Sequence, residues 1–454
     1  MIKQNNLPLV YRFRSMERLL NGAKPGEIGE LEKGMIHFSP FSSLNDSLDG
    51  YIDIEFKGDT VLWRNLFKNY IYSFIAVSWH CNISSTKSPK DVSIDDLSRL
   101  LIRNYNYVYD FIEENESLKC ICNKILTSKT VDNIINELEK NKDPIYLDEL
   151  YEYLYEIYKF IIINDVLDGK AKNYKDTSHK QLTADIISRE FAEIFARMRA
   201  SKAKNKISIF LTNFTYYYLI NLDKLMYKMP LVASFSKNQL NLSMWGYYAD
   251  SFKGACLSFK TVQSKGKPAL CLSNDPNIEP KPRILHKVIY KNTLHKSPFF
   301  NQLGNVPDEI LEEHWHKLNN ITTTCKLLKK DRLKRFIDIT RQKILKTKLR
   351  DWAHEEEFRI IEDEPYKPDT NGFNLYYKIG ILDEIVFGHK ADPESIRNAI
   401  SIISERAKKS KQQSIDIKIC AARYINSENK IKPILIGKVD RNGFEPVAKN
   451  TKYP

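Results

Sequence analysis

The stretch Leu231 to Phe259, LVASFSKNQLNLSMWGYYADSFKGACLSF, decides how this chain is read. Two short apolar runs flank a segment carrying Trp245, Tyr247, Tyr248 and Asp250 and closing at Gly254, so the pattern predicts strand, short aromatic helix, turn, strand. The first run contains Ser234-Phe235-Ser236. Hydroxyls inside an otherwise buried strand need partners, so these two either hydrogen-bond internally or face a ligand.

On the N-terminal side, Leu9 to Phe13 reads as a strand followed by a short helix capped at Ser15, and Gly34 to Ser39 reads as a second strand ended by Pro40. Phe41 to Gly50 is rich in residues that bond their own backbone in turns. Ile71 to Trp79 fits either a buried strand or a helix segment. From about Ser93 to Tyr227 glycine falls to Gly169 alone, and Thr130–Lys140, Leu147–Val166 and Leu182–Ala200 repeat apolar residues at helical spacing. On the C-terminal side, His286 to Tyr290 reads as a short strand, Pro307 to Leu349 as basic helix, and Leu375–Ile379, Ile381–Gly388, Ile415–Ala421 and Ile431–Ile436 as strands around a helix over Pro393–Lys408. The expectation is an α+β chain: a discontinuous β-rich core over 1–80 and 228–440, a helical insertion over 81–227 and a tail over 441–454. The insertion reads as a lid, a partner platform or a packing module. Its tyrosine series, Tyr105, Tyr107 and Tyr109, then Tyr151, Tyr153, Tyr155 and Tyr158, suits either base stacking or a helical core.

At 454 residues the chain can bury a sizeable core without staples. Its 7 cysteines lack paired zinc spacing, and with no leader-like start they point to reduced thiols in the cytoplasm. The longest apolar run, near Phe160 to Ile163, is too short to span a bilayer. Lys and Arg number 70 against 57 Asp and Glu, a formal charge of +13, which suits a polyanionic partner or an ordinary solvated surface. The densest basic run, Lys326 to Arg350 including Lys346 and Lys348, is the strongest polyanion candidate.

Phosphate-loop, dinucleotide-fingerprint, hydrolase-elbow and zincin motifs are all absent, which argues against nucleotide hydrolysis, hydride transfer and zinc proteolysis. His314 and His316, two apart, read as surface histidines. Glu355-Glu356-Glu357 stands out because it precedes an apolar strand. Alternation puts Glu355 and Glu357 on one face, where paired carboxylates can stabilise an oxocarbenium-like centre and orient its attacker. The competing reading is an exposed strand edge neutralised by Arg359 and lysines.

Taken in order, Tyr11-Arg12-Phe13-Arg14, His37-Phe38-Ser39-Pro40 with Asn45-Asp46 and Asp49, Ser234-Phe235-Ser236, Met244-Trp245-x-x-Tyr248-Ala249-Asp250, Gly254-x-Cys256-Leu257 and Trp352-x-x-Glu355-x-Glu357-Phe358-Arg359 resemble an uncharacterised bacterial DUF family common in mobile and phage-defence islands. The match covers about 9–80 and 230–390; the chain departs from it with Ser47-Leu48 where the family has Pro-Phe. More distantly the layout is similar to the Arg…Ser-x-Ser…Glu-x-Glu arrangement of ADP-ribosyltransferases. That likeness implies a split β-sandwich gripping NAD as substrate, with no metal. It further implies Arg12 on the pyrophosphate, His37 and Ser39 in the same binding set, Ser234 and Ser236 supporting the nicotinamide ribose, and Tyr11 or Tyr248 stacking on the nicotinamide. Glu357 would stabilise the oxocarbenium and Glu355 would position the acceptor.

The function expected from this likeness is a toxin-like ADP-ribosyltransferase of an anti-phage or toxin–antitoxin system, acting on RNA, DNA or protein and partnered by an antitoxin or chaperone. Two alternatives stay open. One is a Mg²⁺-dependent nuclease built on Asp416-Ile417-Lys418 or Glu55-Phe56-Lys57 with Asp46 or Asp383; the other is a non-enzymatic nucleic-acid-binding protein.

Overall fold

The structure is a computed structural model describing residues 7–22, 28–87, 105–163, 210–226, 230–293, 295–325, 330–363, 372–412, 414–425 and 430–447. It is mixed α+β, and the chain divides into two compact units. One comprises 1–51, 229–295 and 342–454; the other comprises 52–228 and 296–341. The expected boundary at 80 therefore falls at 51, because Ile71 to Trp79 lies in the helix Thr60–Lys87 and belongs with the helices that follow. The segment 296–341, expected in the β-rich core, also groups with the helical unit.

The first unit is built on a nine-stranded sheet among the described residues. Its order is Gly443–Pro446, Lys430–Asp440, Ile417–Ile425, Leu382–Phe387, Ala255–Phe259, Val10–Arg14, Leu231–Ser236, Glu357–Glu362 and His286–Lys287. Neighbours run antiparallel except Leu382–Phe387 with Ile417–Ile425, a parallel pair joined through the helix Pro393–Lys409. Asp392 caps that helix, its carboxylate accepting from the Ser395 amide at 2.8 Å. The helix buries Ala399, Ile403 and Ala407 in the same core as Leu257, Phe259, Ile385, Phe387, Ile417 and Val439. A smaller core packs Met244 and Trp245 against Phe13, Cys256 and Val386. Gly443–Pro446, expected in a tail, is the edge strand.

The opening stretch folds as its pattern predicts, with strand Leu231–Ser236, helix Leu242–Tyr248 and strand Ala255–Phe259. Asn241 caps the helix, and its side-chain oxygen accepts from the Ser243 amide at 2.9 Å. The chain then reverses through Asp250, Ser251 and Phe252, all at positive φ. Gly254 ends the turn against the Arg14 carbonyl, where a Cβ would sit 2.0 Å from the oxygen.

In the helical unit, Asn115 and Ser128 cap Glu116–Leu126 and Lys129–Lys140, whose apolar faces are buried. Tyr109 and Tyr158 are buried, and the rings of Tyr151, Tyr155 and Tyr158 stack in series at 5.7 and 5.8 Å. The expected helix over Leu182–Ala200 and the side chains of Tyr105 and Tyr107 lie outside the described residues. The long basic helix is interrupted: Asp308–His314 ends, Lys317–Leu318 pairs with Ile321–Thr322 around Asn319 at positive φ, and helix resumes at Lys330–Leu345. His314 is half-buried, with its ring 4.2 Å from that of Tyr109, so it is no surface histidine. Burial holds His314 and His316 below the usual histidine range. No helix among the described residues is long and apolar enough to cross a membrane.

Candidate functional site

The first unit contains a cleft of about 860 Å³ open to solvent. All nine sequence-predicted residues line it: Tyr11, Arg12, His37, Ser39, Ser234, Ser236, Tyr248, Glu355 and Glu357. The backbone explains how segments so distant meet. Val10–Arg14 and Leu231–Ser236 pair at Tyr11↔Ser236 and then part. Beyond that point Ser39 takes up the free edge, exchanging two 2.9 Å backbone hydrogen bonds with Val232. The cleft opens at this split.

Residues paired across strands share a face, so Tyr11, Ser236 and Glu357 lie together, as do Ser234 and Arg359 two residues along. Arg12, one residue on from Tyr11, belongs to the other face and lines the cleft because the strands have separated there. Its guanidinium sits 5.5 Å over the Phe235 ring and donates through Nη2 to the His37 carbonyl at 2.9 Å. Its Nε and Nη1 are buried without a partner, although the residue is only 4% exposed. A buried charged group with two open donors at a cleft wall is poised for an anion. His37 is held in turn by its Nδ1 against the Asn374 side-chain oxygen at 2.8 Å.

The opposite wall is an ionic cluster. Arg359, fully buried, meets Glu357 through Nε and Nη2 at 2.7 and 2.9 Å and Asp49 through Nη1 and Nη2 at 2.9 and 2.5 Å. Lys348 reaches Glu355 at 2.6 Å, and Asp49 and Glu357 at 3.5 Å each. The Tyr248 hydroxyl donates to the other Glu355 oxygen at 2.6 Å. Three acids thus share two cations inside the protein. Burial resists ionisation of Glu357, but Arg359, Lys348 and a hydrogen bond from Ser234 outweigh it and hold its carboxyl well below the usual range. Burial and the neighbouring Glu357 charge push Glu355 up, against the pull of Lys348. Burial raises Asp49 as well, opposed by Arg359.

Several expectations need correction. Glu355 and Glu357 do not alternate along one strand: Glu355 ends the short helix Arg350–Glu355, Glu356 turns at φ 45°, and the strand starts at Glu357. That turn brings both carboxylates into the cleft. Neither lies on an exposed edge, at 3% and 4% exposure. The Ser236 hydroxyl donates to the Glu355 carbonyl at 2.8 Å and accepts from the Asn238 amide at 3.0 Å, so it positions Glu355 rather than standing open to a ligand. Lys348, counted in the basic run as a polyanion contact, is buried on the strand Thr347–Leu349. The side chains of 326–337 lie outside the described residues.

Three contributors were not assigned from sequence: Lys348, Asp49 and Tyr290, whose hydroxyl accepts from the Glu357 amide at 2.8 Å. Asp49 alone carried a signal, sitting in the Asn-Asp turn segment. Of the nuclease alternative, Asp383 and Lys418 do meet, at 3.7 Å on neighbouring strands, and Asp383 also lies 3.6 Å from Lys260. Asp416 pairs with Lys438 at 3.5 Å, and Glu55 belongs to the helical unit.

Residues 244–360 match the model of a protein family of unknown function (DUF2971). No curated protein and no solved structure matches the chain.

Proposed function

We propose that the cleft binds NAD and transfers its ADP-ribose to a macromolecule, most plainly a nucleic acid given the net charge of +13. The observation carrying this reading is the convergence of Arg12, Ser234, Tyr248, Glu355 and Glu357 on one cleft at a split between two strands. The wall that offers unpartnered guanidinium donors suits a pyrophosphate. The carboxylate wall suits a centre that gains positive charge.

In this reaction the bond between the ribose anomeric carbon and the nicotinamide nitrogen breaks, and nicotinamide leaves with the electron pair. Glu357, ionised and clamped by Arg359, stabilises the developing oxocarbenium as a fixed charge. Its two guanidinium contacts leave it no freedom to turn, so it acts through its field rather than as a proton carrier. An acceptor nucleophile then bonds to the anomeric carbon, and its proton passes to Glu355. Of the two glutamates Glu355 is the one that burial raises, and a raised carboxyl holds an accepted proton more tightly. Tyr248 and Lys348 orient Glu355 for this role. The biological setting proposed is a toxin-like effector of an anti-phage or toxin–antitoxin system.

The test is incubation with NAD labelled in its adenylate half and total cellular RNA, DNA and protein. Label entering one of these fractions supports the reading; no transfer to any fraction and no nicotinamide release overturns it. Because Glu357 is buried in an ion cluster, Glu357→Gln is compared with Tyr248→Phe, and both are assayed well below their own melting temperatures.

A further inference from the structure

A second depression in the same unit has a different electrostatic character. It is a shallow, open groove lined by Lys33, Lys378, Arg406 and Lys409 with Ser273 and Tyr376, and no acidic residue is among its lining residues. Two of the four cations are fixed by neutral partners. Arg406 donates to the Leu31 carbonyl at 2.6 Å and the Tyr377 carbonyl at 3.4 Å, with its guanidinium 5.0 Å from the Tyr377 ring. Lys378 donates to the Pro276 carbonyl at 2.8 Å. A carbonyl orients a cation without cancelling its charge, so both cations are pre-positioned, and among the described residues neither has an acidic ion-pair partner. Lys409 lies 4.0 Å from Glu405, and its side chain is 80% exposed.

The groove is tied to the cleft. Phe373–Tyr376 pairs with Met35–Phe38, setting Tyr376 against Met35 and Asn374 against His37. Tyr376 lines the groove, while Asn374 holds the His37 that lines the cleft. The two positions are two residues apart, about 7 Å along the strand. Several cations, an aromatic residue and hydroxyls in an open groove are what a phosphodiester backbone requires, since phosphates supply the charge and a ring tolerates any base.

We propose that this groove binds a single-stranded nucleic acid backbone and delivers the strand to the neighbouring cleft. The binding stands alone; the delivery rests on the transferase reading. The experiment is fluorescence anisotropy with a labelled 12-nucleotide RNA over a salt series, using wild type and the double variant Lys33→Ala/Lys409→Ala. Both residues are exposed, so the fold is retained. Two lost phosphate contacts lower the slope of log K against log salt by about 1.4 and weaken binding at least tenfold at low salt. An unchanged slope and affinity overturns the proposal, and so does a wild type that binds inorganic phosphate at this groove but not the RNA. NAD turnover without an acceptor separates the two claims. Groove-dependent RNA binding with no turnover retains the groove and removes the transferase; turnover with variant-insensitive RNA binding does the reverse.

Discussion

Replacing Lys348 by Met probes the ionic wall where its balance is tightest. Lys348 is the cation shared by Asp49, Glu355 and Glu357, so its loss leaves three buried acids facing Arg359 alone. Removing one partner of a buried pair costs about 3–5 kcal/mol, because the remaining charge is uncompensated. For a unit of 150–250 residues each kcal/mol moves the melting temperature by about 2–4 °C, so the unit loses roughly 6–20 °C at pH 7. The pH dependence has a definite sign. Glu355 is raised above its ordinary value in the fold, so the native state binds its proton more tightly than the unfolded chain does. Stability therefore falls as pH rises from the unfolded value through the folded one. Losing Lys348 raises Glu355 further and widens that window upward, so the deficit is larger at pH 7 than at pH 5. Differential scanning calorimetry of wild type and variant at both pH values measures it. A loss under about 3 °C, or a larger deficit at pH 5, refutes the reasoning.

Arg12→Met keeps the length of the side chain while removing two donors that have no protein partner and one 2.9 Å hydrogen bond to the His37 carbonyl, so the melting temperature changes by no more than about 4 °C while NAD affinity by calorimetric titration falls at least tenfold. Gly254→Ala drives a methyl group to 2.0 Å from the Arg14 carbonyl oxygen and 2.9 Å from that of Ala249, so the aromatic helix and the first strand cannot both stay in place. That variant is expected as insoluble protein or with a melting temperature at least about 8 °C lower, read by expression and thermal scanning.

Much of the sheet was legible because its strands carry local signals, short apolar runs with Gly and Pro punctuation, and the helix after the first strand carries its cap at Ser15. Ile71 to Trp79 was ambiguous because a continuous apolar run has no period, and it proves to be one face-independent segment of a buried helix. The candidate cleft was legible as a set of residues, yet their local geometry was not. Glu356 at positive φ breaks the alternation that set Glu355 and Glu357 on one strand face, and an αL residue other than glycine leaves little trace in sequence. Lys348 was hidden for another reason. Among so many lysines and arginines, composition cannot tell a buried counter-ion from a solvated one; only the register of Thr347–Leu349 beside Ile289–Lys291 brings it inward. The family match over 244–360 includes Tyr248, Lys348, Glu355 and Glu357 but neither Arg12 nor Ser234, so the wall that carries Arg12 is assembled from segments outside it.

The central claim is that this cleft breaks the nicotinamide–ribose bond and that Glu357 supports the charge this creates. The most direct measurement is nicotinamide released from NAD over time, followed by proton NMR, with total RNA present, for wild type and for a Glu357→Gln variant assayed well below its own melting temperature and shown to be folded by circular dichroism. Release by wild type, reduced at least a hundredfold in the variant, is the predicted result. No release by wild type, or equal release by both, contradicts the account.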